Sequence, residues 1–339
     1  MRKYKTKIII AVIVLIAVVL FPIFQHSPYY LDLVITVMMN AMLAITFIIL
    51  LRAGLLSLGI AAFWGMGSYI SAILSLKLHL SFWLCLPLSA ILTGLVALLI
   101  AMAILKNTGF SFVMLSAVIG MLFPVVIGNI PFLGGYTGLA NIPQPGPINI
   151  PLLPSITFSA KETWYFLMLI IVIVIILIVM AFDAAWTGRA WTAIGMNRRL
   201  AGTLGINAFR YKIAAFVLAS AIVGLVGSYY AHYMTFIHPN TFGIWTVVYI
   251  QIYAILGGIG HVIAGPIIGA TIMTFFPELI RNTQNLATII VGVLLIVLII
   301  FLPEGLLSIP QRWPILTIWF SKLTRMVKSK LSRIRTENT

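Results

Sequence analysis

Acidic residues and cysteine are both scarce in this chain: six acids and one cysteine, Cys85, among 339 residues. One thiol closes no intrachain disulfide and builds no zinc cluster. The acids exclude more. Asp32, Glu162, Asp183, Glu278, Glu304 and Glu337 lie at the ends of apolar runs, in connecting segments or in the C-terminal stretch. None is expected at the centre of a membrane. Proton- and sodium-coupled carriers usually bury ionisable groups along their path, because the coupled ion must be held and released there. That class loses ground, although backbone carbonyls can hold sodium unaided. No Gly-Lys dipeptide occurs, so the chain lacks the phosphate-binding loop of an ATP-hydrolysing protein. There is no H-E-x-x-H, and His26, His79, His232, His238 and His261 show no paired ligand spacing, which suits packing or interfacial roles. No metal site is expected, and a membrane enzyme is left without a catalytic constellation.

Apolar residues are abundant. The chain is 62% hydrophobic and 8% charged, with mean hydropathy +1.15, too little polar surface to clothe a water-soluble globule of this length. The class is an all-α polytopic membrane protein. A bilayer core about 30 Å thick takes roughly 20 apolar residues per helix. Runs at 8–24, 31–51, 55–76, 82–105, 110–130, 164–182, 213–233, 242–256, 262–280 and 286–302 give about ten spans by that measure. The first follows Arg2, Lys3, Lys5 and Lys7 like the head of a signal peptide, but no small-x-small cleavage site precedes Pro22 and His26, so it is kept as a span.

The net charge of +15 does not indicate nucleic acid, because the cations sit at the ends of apolar runs and not on a soluble reading face. Juxtamembrane cations are attracted to anionic headgroups by about 1 kcal/mol each, so membrane lipids are the expected partners. With the N-terminus cytoplasmic, the inner side holds the four cations before the first run, Arg52, Lys106, five from Arg189 to Lys212 and seven from Arg312 to Arg335; the outer side holds Lys77, Lys161 and Arg281. An even number of spans returns both termini to the cytoplasm, as the positive-inside rule requires.

Three polar segments interrupt or follow the spans. Residues 187–207 form a basic, helix-length insert between two apolar runs, a cytoplasmic segment suited to touching another protein. Residues 131–162 carry Gly134, Gly135, Gly138 and six prolines, a density that favours turns and extended pieces. This long external loop reads equally as a connector, a gate or a docking surface. Beyond a permease region ending near 306, residues 307–339 form a basic tail. Leu316, Phe320, Leu323, Val327, Leu331 and Ile334 repeat there at helical spacing, as in an interfacial helix.

Small and isolated polar residues mark candidate packing or pathway positions. Ser57, Ala61 and Gly65 lie four apart with Gly59 and Gly67 beside them, so another helix can approach at backbone contact. Gly257 and Gly258 close one short run and Gly265-Pro266 opens the next, as in broken helices lining a pathway or in close packing. Asn40, Thr46 and Gln251 within spans suit interhelical hydrogen bonds or a pathway lining.

Together these pieces resemble a known family, the LivM-type permease subunits of branched-chain amino acid ABC importers. The resemblance covers about residues 40–306. It rests on Leu56-Ser57-Leu58-Gly59, Ala61-Ala62-Phe63-Trp64-Gly65, Gly67-Ser68-Tyr69, Gly134-Gly135-Tyr136-Thr137-Gly138-Leu139, Ile142-Pro143, Gly188-Arg189-Ala190 and Ala193-Ile194. Further fragments are Leu204-Gly205-Ile206-Asn207, Tyr211-Lys212, Ala231-His232-Tyr233, Leu256-Gly257-Gly258, Gly265-Pro266, Pro277-Glu278-Leu279 and Pro303-Glu304-Gly305-Leu306. Each is weak alone; their order and spacing are specific.

The resemblance implies an ABC importer permease fold, open to inverted repeats, in a bacterial inner membrane. It also implies a second permease of the LivH type, two ATP-binding subunits that supply ATP and Mg chemistry, and an extracytoplasmic substrate-binding protein. The chain itself needs no cofactor and catalyses no covalent step. Residues 187–207 become the ATPase-coupling segment, with Gly188, Arg189, Ala190, Trp191, Ile194, Arg198, Arg199, Leu204, Gly205 and Ile206 as its contact residues. Asn40, Ser57, Gly134, Gly135, Thr137, Gln251, Gly257 and Gly258 are the pathway or gate candidates. The chain departs from the family by carrying Gly195, Met196, Arg198, Arg199 and Gly202 where acidic residues are common, which implies either a more acidic ATPase groove or a shorter helix. Substrates expected from the resemblance are leucine, isoleucine and valine, with urea, amides or other amino acids as the alternative and an ATP-independent channel as a different class.

Overall fold

In the computed structural model, residues 16–22, 24–25, 27–107, 109–147, 157–279, 292 and 305–308 are described. The expected last span at 286–302 apart from Gly292, the tail at 307–339 apart from its first two residues, and the stretch 148–156 of the external loop lie outside the described residues. The first expected span is described from Ile16 onward and is helical over 16–22.

Among the described residues, ten α-helices follow in order: α1 (Pro28–Arg52), α2 (Ile60–Leu78), α3 (Phe82–Ile104), α4 (Phe110–Gly128), α5 (Lys161–Ala184), α6 (Trp186–Met196), α7 (Arg198–Thr203), α8 (Ala208–Met234), α9 (Ile244–Gly257) and α10 (Ala264–Leu279). No strand occurs among the described residues; the only extended pairing there is an isolated antiparallel bridge between Leu139 and Ile237. Six helices, α1 to α5 and α8, are long and apolar enough to cross a membrane, and α9 and α10 are shorter apolar helices. The chain is a multi-pass membrane protein.

One expected span is shorter than its apolar run. The run at 55–76 becomes helical only at Ile60, because Gly54 turns the chain at φ +70 and residues 55–59 run on outside any helix. The Leu58 amide there donates to Ser116 Oγ of α4 at 3.0 Å. Unwound backbone survives at membrane depth where protein supplies the hydrogen bonds that lipid cannot.

Burial separates a core helix from a wall. In α1, 78% of the most apolar window is buried, against 33% in α3 and 39% in α5. Leu95 and Leu99 of α3 and Ile170 and Leu177 of α5 face outward, which suits lipid contact. Helix α8 packs against α1, α2 and α3. Lipid tails are as apolar as leucine, so helices in a bilayer gain by close approach. A Cβ on Gly67 would strike the Gly224 backbone, and one on Gly227 the Trp64 carbonyl. The backbone contact therefore runs through Gly67, while Gly65 instead leaves room for the rings of Phe123 and Phe242. Gly257 and Gly269 similarly let α9 and α10 cross on the backbones of Gly265 and Tyr253.

Side-chain bonds fix the sense of the helices. Asp32 at the start of α1 pairs with Lys161 at the start of α5 and accepts from Tyr233 near the end of α8. Arg52, ending α1, pairs with Asp183 near the end of α5. Helices α1 and α5 are thus parallel, and α8 is antiparallel to both. From Asp32 to Arg52 the rise is about 30 Å at 1.5 Å per residue, the thickness of a hydrocarbon core. A helix, a non-α-helical connector and a second helix recur as α1/53–59/α2 and α8/235–243/α9, led by antiparallel helices. That order accords with the inverted repeats the resemblance leaves open.

Candidate functional site

At the Arg52 end, α6 is held beneath three long helices. Ala185 breaks the line of α5 with extended backbone, φ −72 and ψ 175. The reversal leaves no room for a Cβ at Gly188 beside the Asp183 backbone. Gly188, Ala190, Trp191 and Ile194 form the buried side of α6. Trp191 Nε1 donates to the Tyr211 carbonyl of α8 at 2.8 Å, and its ring stacks on Phe182 of α5 with centroids 6.1 Å apart. Arg52 Nη2 donates to Thr192 Oγ1 at 2.8 Å while Nη1 engages Asp183. One guanidinium therefore ties α1, α5 and α6 together. A Cβ on Gly195 would strike the Arg52 carbonyl. A small apolar cavity at this junction is lined by Ile49, Val179, Phe182, Trp191, Leu218 and Val262 beside the Arg52–Asp183 pair.

The 187–207 insert is two helices, not one. Asn197 adopts extended backbone, and its Oδ1 accepts from the amides of Arg199 and Leu200 at 3.0 and 3.2 Å. That is an N-cap, which satisfies amides left without partners at a helix start. Helix α7 ends where Gly205, at φ +79, lets the Ile206 amide reach the Ala201 carbonyl at 3.1 Å. Asn207 then caps α8 by accepting from the Arg210 amide at 3.2 Å. Arg189, Arg198, Arg199, Leu204 and Gly205 are exposed and Ile206 is half-buried. The coupling candidates thus divide into an anchor, Gly188, Ala190, Trp191 and Ile194, and an outward surface formed by the others.

The pathway candidates are not brought to one place. Asn40 Nδ2 of α1 donates to Thr274 Oγ1 of α10 at 3.3 Å, an interhelical bond. Thr46 donates back to the Leu43 carbonyl at 2.6 Å within its own helix. Gly257 and Gly258 are packing positions, with Gly258 meeting Gly265 and Gly305. Gln251 on α9 has a buried Nε2 without a hydrogen-bond partner. Ser57 is buried in the non-helical segment before α2, its Oγ accepting from the Gly59 amide at 3.3 Å. Gly134, Gly135 and Thr137 lie in tight turns at the opposite end, where Thr137 Oγ1 donates to the Gly134 carbonyl at 2.6 Å.

That end holds two clusters the sequence did not reveal. Lys161 Nζ reaches both Asp32 at 3.0 Å and Tyr233 Oη at 2.9 Å, joining α1, α5 and α8. Deeper, Ser71 of α2 bonds Ser228 at 2.7 Å and His232 Nε2 at 2.9 Å, and His232 Nδ1 meets the Pro143 carbonyl at 2.7 Å. With the Leu139–Ile237 bridge and the bond from the Ile142 amide to the Thr235 carbonyl at 3.1 Å, these contacts staple residues 139–143 over α2 and α8. Polar residues near helix ends were a visible signal; their partners, up to 201 residues away, were not.

Over residues 29–302, a stretch that contains all ten helices apart from the first residue of α1, the sequence matches the family described as branched-chain amino acid transport system / permease component. The chain belongs to this family. Two relatives are the high-affinity branched-chain amino acid transport system permease protein LivM of Salmonella typhimurium and the protein of the same name from Escherichia coli. Each is 24% identical over 277 residues, covering 76% of this chain and 65% of the relative. The permease thus spans somewhat under two thirds of the length of these curated relatives. No solved structure matches it. The anchored α6, both clusters at the Asp32 end and the α9–α10 crossing all lie inside the matched stretch of the permease.

Proposed function

We propose that this permease is the membrane-spanning subunit of an ABC importer for leucine, isoleucine and valine, and that α6 and α7 couple it to ATP-binding subunits. The observation that carries the reading is the fastening of α6 to α1, α5 and α8 through Arg52, Asp183, Thr192 and the Trp191–Tyr211 bond. A short element held at three helix ends passes rigid-body motion to all three, a recurrent way of driving a switch. The absent phosphate-binding loop assigns ATP and Mg to partner subunits. Cation asymmetry supports a cytoplasmic Arg52 end and cytoplasmic termini in a bacterial cell. The Asp32 end then faces outward, where a substrate-binding protein delivers the solute, and a LivH-type permease completes the path.

Family membership supports the substrate class, while urea, amides and other amino acids remain alternatives within one architecture. The test is uptake of radiolabelled leucine, isoleucine, valine and urea into proteoliposomes holding both permeases and the ATP-binding subunits, with ATP and binding protein each present or omitted. Leucine uptake that requires both additions is expected. Urea uptake alone would move the substrate and keep the architecture. Flux through this chain without ATP would replace the importer with a channel.

A further inference from the structure

The most unbalanced surface among the described residues is the free side of α6 and α7. Between Asp183 and Glu278 the sequence has no acid, yet it carries Arg189, Arg198, Arg199, Arg210 and Lys212, and Asp183 is already engaged by Arg52. Met196, Leu200 and Leu204 recur four apart and stand 84%, 62% and 78% exposed. Exposed Arg198 and Arg199 lie between the first two. The opposite side of α6 is seated on the ends of α1, α5 and α8, so the free side faces away from those three helices. Large exposed apolar side chains clustered on one face, with arginines set between them, mark an interaction surface. Lys212 adds to the charge: it is buried, and neither ion pair among the described residues gives it a carboxylate.

We propose that α7 and its junction with α6 dock into an apolar cleft with an acidic rim on a soluble subunit, Met196, Leu200 and Leu204 filling the cleft and Arg198 and Arg199 pairing with rim carboxylates. This rests on the reading of α6 and α7 as the contact with the ATP-binding subunits, and it names the chemistry of that contact. The apolar stripe supplies burial, and the arginines supply register and partner choice, since misplaced like charges across an interface are strongly rejected. Arginine suits the rim because its planar fork meets a carboxylate at two points.

The test places the full permease pair in nanodiscs and measures affinity for the purified ATP-binding subunits. The variants are R198E/R199E, Leu200→Asp and, as a charge control in another connecting segment, Lys106→Glu. Retention of the second permease and a monodisperse profile show that each variant is folded. The expected result is about a tenfold loss of affinity for R198E/R199E, a comparable loss for Leu200→Asp, no change for Lys106→Glu, and wild-type binding that weakens from 50 to 500 mM salt, concentrations set on the order of the Debye screening range. The same losses are expected in zwitterionic and anionic nanodiscs. Charge reversal without effect overturns the acidic rim, and an effect confined to anionic nanodiscs assigns the arginines to lipid and overturns the docking. Wild-type pairs that never bind the ATP-binding subunits overturn the reading beneath it, a failure visible before any variant is compared.

Discussion

The glycines of this permease act as spacers, and each has a distinct consequence. From sequence, Gly195 and Gly202 look alike, two weak points in a short helix, each costing about 1 kcal/mol. The structure separates them: Gly195 faces the Arg52 carbonyl, whereas nothing lies within 4 Å of a Cβ on Gly202. Gly202→Ala is therefore expected to leave folding intact and to steady α7 by up to about 1 kcal/mol. Gly67→Val, at the crossing with Gly224, is expected to cost about 1–3 kcal/mol by overpacking. Thermal unfolding in detergent, followed by loss of the monodisperse peak, checks both. A Gly67 variant as stable as the parent would remove the α2–α8 crossing from the account. Asp183→Asn gives a third expectation at this scale. The Arg52–Asp183 pair is 28% and 42% exposed, so its loss is expected to shift stability by no more than about 1 kcal/mol.

Helices were the most legible level, for a physical reason. Eight of the expected spans coincide with described helices because a bilayer demands long apolar runs whatever their packing. The entry into α2 was not legible, since Leu55 and Leu58 are as apolar as any helical leucine and the side chain that takes the Leu58 amide, Ser116, lies 58 residues away. The division of 187–207 was half visible: Asn197 is a strong cap residue, but an asparagine caps only where the chain already leaves the helix, as its extended backbone does here. Contact residues of the 187–207 segment were named from resemblance, and the structure sorts them by face, Trp191 and Ile194 of α6 inward and Arg198 and Leu204 at the ends of α7 outward. Pathway candidates fared less well, because polar residues in spans serve packing and passage alike; Asn40 is bonded between helices while Gln251 keeps a buried amide unbonded. At the element scale, Trp191→Phe keeps the stack on Phe182 and removes the bond to Tyr211. If the α6–α8 link transmits motion, transport per ATP hydrolysed is expected to fall severalfold while assembly persists, loss of one hydrogen bond being worth about 1 kcal/mol. An unchanged ratio would leave the bond a purely structural one.

For the whole molecule, the account is of a bundle closed by polar clamps at two levels about 30 Å apart. Asp32, Lys161 and Tyr233 join α1, α5 and α8 at one level, and Arg52, Asp183 and α6 join the same three helices at the other. A displacement of α6 therefore reaches the far end through helices already bound together there. The most direct measurement records ATP hydrolysis and leucine uptake together, in proteoliposomes holding the complete transporter with either the parent chain or Gly195→Val. The added side chain unseats α6 from Arg52 and leaves the outward surface of α7 intact. The expected result is a complex that still hydrolyses ATP while uptake falls at least about tenfold, an uncoupling of about 1.4 kcal/mol or more. Uptake and hydrolysis both at parental levels would contradict the account.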